Sequence, residues 1–237
     1  MGAAPARRVG QRARAGATEA NIKRIVTPLL LLCALAGGAV VPARAEMSRD
    51  QAVAALRSDA PGERSAAVER LARSGTMADV EALLDALRDE DAHVRSLAEG
   101  AIWSIWLRSG DADTDALVRK GVAHMEARQM GAALDAFTRA IERRPDFAEA
   151  WNKRATAYFL IGDFDQSLHD CEKALERNPN HFGALAGCAG IYAHRDQLEH
   201  ALDYLERAFE LNPNLEGVEI GLTLVRHRLG RTGRQEI

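Results

Sequence analysis

The chain has 237 residues, of which 47% are hydrophobic, 27% charged and 5% aromatic, a composition that fits a globular protein of one or two domains. Alanine, leucine, arginine and glutamate are plentiful and period-two β-branched runs are nearly absent, which favours helix and leaves little room for sheet. The formal net charge of −3 is uneven: residues 1–45 hold seven basic groups and one acidic, leaving 24 basic against 33 acidic, a net −9, for the rest. A body so acidic disfavours nucleic acid and anionic lipid as partners.

The first element is an address. Lys23-Arg24 precedes an apolar run, Ile25 to Val41, and "PARAE" follows with Ala43 and Ala45 flanking Arg44. Basic region, apolar core and small-residue end have the layout of a secretory signal peptide, 1–45, with cleavage after Ala45. Three alternatives stay open: a membrane anchor at residues 25–41, an organellar transit sequence and twin-arginine export through Arg7-Arg8. A membrane association is expected only through an uncleaved leader. The chain is therefore read as exported, periplasmic or secreted. Past the leader, Cys171 and Cys188 remain and are read as two small buried thiols; export would also permit a bond between them.

Residues 47–110 contain an internal echo at an offset of 31, matching Leu56 with Leu87, Arg57 with Arg88, Arg64 with Arg95 and Ala67 with Ala98. The phrase "DEDAHVRSLAEGAIW" resembles the start of the second helix in short HEAT-like repeats. Trp103 and Trp106, with Ile102 and Ile105, make that helix apolar over a broad face. It is expected to be buried against the first helix of the following segment, in one continuous solenoid joined through Leu107 to Asp115.

Pro145, Pro179 and Pro213 recur every 34 residues and divide the rest into units 114–147, 148–181 and 182–215. Ala140, Ala174 and Ala208 stand five residues before each proline; Phe137, Cys171 and Leu205 stand eight before; Ala133, Ser167 and Ala201 stand twelve before. Small residues let paired helices approach, and large ones such as Trp151, Tyr158 and Leu168 fill the space between. Asp163 with Gln166 and Asp196 with Glu199 read as capping pairs, and Gly162 as a helix stop. A last helix, roughly Glu216 to Arg228 and closed by Gly230 (segment 216–230), reads as a solvating cap.

This pattern resembles the tetratricopeptide repeat, a 34-residue helix–turn–helix unit, and the second unit resembles it most. The whole chain is similar to small exported bacterial proteins of that type. The resemblance implies an all-α, right-handed helical-repeat solenoid: three helix pairs and a cap helix, preceded by the HEAT-like helices. It also implies a concave groove, with the candidate partner residues Val118, Val122, Met125, Asn152, Thr156, Phe159, Ala186 and Gly190, and Ile220 and Leu224 from the cap. Those positions lack the basic carboxylate clamp of the family's chaperone-binding members; only Lys153 is basic.

Chemistry is not indicated. The seven histidines form no HExxH and no Cys/His cluster with metal spacing; His124 occupies a packing position. Asp111 to Asp115 lacks the glycine and terminal glutamate of a calcium loop and reads as helix-start solvation. No phosphate-binding glycine loop or nucleophile elbow occurs. The expected function is a non-catalytic adaptor of the cell envelope, without cofactor or metal, binding another protein or peptide segment. A self-associating structural module and a regulatory subunit of an envelope enzyme are the alternatives.

Overall fold

A computed structural model describes residues 47–232 of the chain; the leader lies outside the described residues. Those residues form eleven α-helices, one 3-10 turn and no strand. The fold is an all-α helical-repeat solenoid.

The first half contains α1 (Arg49–Ala55), α2 (Pro61–Ser74), a 3-10 turn (Met77–Asp79), α3 (Val80–Ala86) and α4 (Ala92–Trp106). Local signals set the helix starts. Ser48 and Gln51 cap α1 reciprocally, Pro61 occupies the first turn of α2, and Asp91 accepts from the His93 and Val94 amides at the start of α4. The 31-residue echo has a structural counterpart. Arg64 donates to the carbonyls of Ser58 (2.9 Å) and Asp59 (3.3 Å), and Arg95 donates to those of Asp89 (2.8 Å) and Glu90 (3.1 Å). Each arginine thus ties down the turn that leads into its own helix. Val68, Leu71, Leu83, Leu87, Val94 and Ile102 are fully buried between the four helices.

The second half stacks α5 (Ala112–Glu126), α6 (Met130–Arg143), α7 (Ala148–Ile161), α8 (Phe164–Arg177), α9 (Phe182–His194), α10 (Leu198–Leu211) and α11 (Val218–Thr232). The recurring small residues do what close packing requires. A Cβ on Gly121 would lie 2.4 Å from the Phe137 ring, so only glycine admits that ring between α5 and α6. Ser167 donates to the Ala155 carbonyl at 2.8 Å and ties α8 to α7. Asp111 accepts from the Asp113 and Thr114 amides and caps α5, and Gly162 stops α7 with φ +81°.

Two local expectations change. Asp163 accepts from the Gln166 amide as expected, but Asp196 does not cap α10. It sits at φ +61° in the turn, Gln197 precedes the helix, and the Asp196 carboxylate meets Arg228 instead. Nor does Gly230 close the last helix, which runs on to Thr232. A lone glycine stops a helix by taking a left-handed conformation; without that it costs helix stability but does not end it.

Helix α11 has two faces. Val218, Leu222 and Val225 are buried against α10. Glu219, Thr223 and Arg226 stand where the second unit has Trp151, Ala155 and Tyr158, and they are exposed. Polar residues on the face that would receive another helix make α11 a solvating cap.

The larger correction concerns α4. Its tryptophans do not pack along α5; they reach the turn between the second and third units. The Trp106 ring stacks on His181 (centroids 4.3 Å, 21°), and Trp103 meets Phe182 edge-on at 5.2 Å. Phe182, Leu211 and Leu215 join the core of the first half. Asn214 donates to the Leu87 carbonyl at 2.6 Å, and Arg88 donates to that of Glu210. The reversal follows from the connection after α4, where Gly110 adopts φ +78° and the Ser109 hydroxyl and amide both bind Asp115. The first half therefore folds back across the inter-unit turns instead of extending the stack beyond α5.

Candidate partner groove

The inner face of the solenoid is built by α5, α7, α9 and α11. On α5, Val118 is only 2% exposed and belongs to the core around Phe137, Ile141 and Phe147, so its side chain is not available to a partner. Val122 and Met125 are half-buried. On α7, Asn152 is buried and donates from Nδ2 to Glu149 Oε2 at 3.1 Å, whereas Thr156 is exposed and Phe159 is 40% exposed. On α9, Ala186 is half-buried and Gly190 exposed. On α11, Ile220 and Leu224 are 65% and 59% exposed, turned away from the face that packs on α10.

Two adjoining hollows run along this face. One, of about 240 Å³, is lined by Asn152, Thr156, Phe159, Ala186 and Gly190, together with Ser167, Cys171, Gly183 and Gly187. The other, of about 450 Å³, shares Ala186 and Gly190 and continues to Ala193, Leu224 and Arg228. Helix α9 thus forms a floor of small residues between exposed Phe159 on α7 and exposed Leu224 on α11. Of the sequence-derived set, Asn152, Thr156, Phe159, Ala186, Gly190 and Leu224 are brought together here. Val122, Met125 and Ile220 line neither hollow. Gly187 was missed, although its spacing from Gly183 and Gly190, four and three residues, marks one helix face.

At one end the groove meets a buried polar cluster. His181 accepts from the Ala184 amide at Nδ1 (3.1 Å), which leaves its proton on Nε2, facing Glu149 Oε2 at 2.7 Å. Lys153 Nζ reaches Glu149 Oε1 at 2.9 Å and lies over the Trp103 ring at 5.7 Å. Burial pushes the Glu149 carboxyl up, but the His181 hydrogen bond and the Lys153 charge outweigh it, and the group stays below its ordinary range. These side chains hold one another and seat α4 on the repeats. His124, on α5, is half-buried and bonded to Gln129 at 2.7 Å.

Beneath the floor, Cys171 on α8 and Cys188 on α9 form a disulfide, with Cα atoms 6.0 Å apart. This replaces the expectation of two free thiols. The pair is 17 residues apart, and only the stacking of the third unit on the second brings it into register.

Family models described as tetratricopeptide repeat match residues 114–147 and 148–181. The chain carries tetratricopeptide repeats. Such repeats are protein-interaction modules. A TPR repeat-containing protein of Rhizobium etli is 35% identical over 85 residues, 36% of this chain and 42% of that protein, so the match spans less than half of that relative. The TPR domain of Sgt2 from Aspergillus fumigatus shares the fold, with a TM-score of 0.50 and 21% identity over 52% of this chain and 83% of that one. The first TPR of Spaghetti (RPAP3), solved with an HSP90 peptide, gives a TM-score of 0.49 and 24% identity over 50% of this chain and 94% of that one.

Proposed function

We propose that the chain is an exported, non-catalytic adaptor that holds an apolar segment of another protein along the inner face of α7, α9 and α11. The observation that carries this reading is the pairing of exposed Phe159 and Leu224 across a floor of glycine and alanine. Large apolar side chains left in water on both sides of a groove mark a surface that a partner covers. The lining also favours an apolar occupant over an acidic tail: the first hollow has no charged side chain, and the second has only Glu216 and Arg228.

Export is supported by two independent features. The leader has a signal-peptide layout, and a buried disulfide joins the second and third units; such bonds persist mainly in oxidising compartments. The reading is tested by co-purification from the native host, comparing the wild type with Thr156→Arg combined with Leu224→Asp. Both changes are at exposed positions and spare the core. A double variant that folds and still recovers every partner would sink the groove. Amino-terminal sequencing of the recovered protein should begin at Glu46, and recovery from the cytoplasmic fraction would contradict export.

A further inference from the structure

The docking of α4 on the repeats leaves another hollow, of about 180 Å³, which shares no lining residue with the two in the groove. It lies where the end of α4 meets the turns that lead into α7 and α9. Its lining combines Met77, Trp106 and Phe147 with three arginines, Arg108, Arg144 and Arg177. Three guanidiniums around one small hollow stand out in a body of net charge −9.

Their hydrogen bonds hold them in place and leave most of their charge uncancelled. Arg108 donates to the carbonyls of Ala72 and Gly75, both at 2.8 Å, and Arg177 to those of Pro145 and Lys173. A carbonyl oxygen fixes a guanidinium without neutralising it. Arg144 donates to the Ser109 carbonyl and pairs with Asp146 through two bonds of 3.0 Å. The other carboxylate of the lining, Glu149, is already matched by Lys153 and His181. Glu176, 3.7 Å from Arg177, is held by Lys173 at 2.8 Å. Arg108 and Arg177 are thus left without a carboxylate of their own.

The hollow also collects donors that the fold leaves unused. Helix α7 begins there without a side-chain cap, and its first two residues, Ala148 and Glu149, line the hollow. Amides of a first turn have no partner within the helix and carry the positive end of its dipole. Independently, Trp106 is only 3% exposed, and its indole Nε1–H finds no acceptor within the protein. An unpaired buried donor costs free energy that an incoming acceptor recovers.

We propose that this hollow binds a small organic carboxylate. Guanidiniums and helix-start amides recognise the oxyanion, and the Trp106 N–H supplies a further donor. Met77, Trp106 and Phe147 favour an acid with an apolar body over inorganic phosphate, which has no apolar surface to bury. A volume of about 180 Å³ lies below the usual range for drug-sized ligands and suits a small acid. The site is separate from the groove and does not depend on what the groove holds.

The test titrates the ¹⁵N-labelled full chain at neutral pH with phenylacetate, phenylacetamide and inorganic phosphate, reading amide and indole shifts by NMR. Phenylacetate should shift the Ala148 and Glu149 amides and the Trp106 indole N–H, and saturate about tenfold earlier than either of the others. Met77 is 53% exposed at the rim, so Met77→Glu adds a like charge without disturbing the core. It should weaken phenylacetate about tenfold, whereas neutral Met77→Gln should not. Equal binding of phenylacetamide overturns recognition of the charge, and equal binding of phosphate overturns the organic acid. Shifts confined to other residues, or undiminished binding to Met77→Glu, overturn the site itself.

Discussion

His181 Nε2 donates a 2.7 Å hydrogen bond to Glu149 Oε2, and both side chains are fully buried. The pair links the start of α7 to the start of α9, and Trp106 of α4 covers it. Removing the carboxylate strands a buried imidazole proton and leaves the Lys153 ammonium unpaired. Glu149→Ala is therefore expected to cost about 3–5 kcal/mol, measured by urea unfolding at neutral pH.

The same carboxylate makes stability pH-dependent. Its folded pKa lies below the ordinary glutamate value of 4.5, so ionised Glu149 contributes its full share above that value and loses it as pH falls through the folded one. The urea midpoint of the wild type should drop between about pH 6 and about pH 3 by more than that of Glu149→Gln. Equal drops would show that other carboxylates carry the acid response.

Glycine replacements should split in sign. Gly187→Ala and Gly190→Ala add a methyl group where there is room, so each is expected to raise stability by about 0.5–1 kcal/mol. Gly121→Ala drives a methyl group into Phe137 and is expected to cost about 1–3 kcal/mol. Calorimetric melting of the three variants would read both directions in one experiment.

The Cys171–Cys188 bond closes a short loop between stacked units. Cys171→Ser with Cys188→Ser, or reduction of the wild type, is expected to cost about 3 kcal/mol. Denaturant titrations with and without reductant, checked by thiol labelling, measure it. An unchanged midpoint after complete reduction would mean that packing alone holds the second unit on the third.

Trp103→Ala removes the ring that joins α4 to Phe182, Gly183 and Lys153. A loss of about 3–5 kcal/mol is expected. Hydrogen exchange should quicken most in residues 49–106 and around 181–186. Faster exchange spread evenly through α5 and α6 would contradict the observed seat of α4.

Much of this architecture could be read from the chain itself. A 34-residue period places Ala140, Ala174 and Ala208 in phase, and the pairing of large with small residues gives the helix pairs without further information. The position of Ile220 and Leu224 on α11 also follows, because they stand one 34-residue period after Ala186 and Gly190. Three features were not legible. Val118 has the phase of a groove residue, yet bulky Phe137 and Phe147 draw that stretch of α5 into the core. The Cys171–Cys188 bond depends on the stacking angle between units, which spacing along the chain does not carry. The seat of Trp103 and Trp106 depends on the reversal at Gly110. An apolar helix face announces that it will be covered, but the covering surface is chosen by the turn that follows.

The hydrogen bonds from Asn214 to Leu87 and from Arg88 to Glu210 join residues 127 and 122 positions apart. A simple stack of repeats can fray from either end, each unit answering only to its neighbours. Here the early helices are fastened to the turn before the final helix, so fraying at one end is opposed by contacts made at the other. Residues 49–106 cannot make these contacts until the chain as far as Asn214 has been made and released, and their docking is a long-range step with a correspondingly large loop to close. Pulled from its ends, such a molecule should yield in one concerted rupture, not unit by unit.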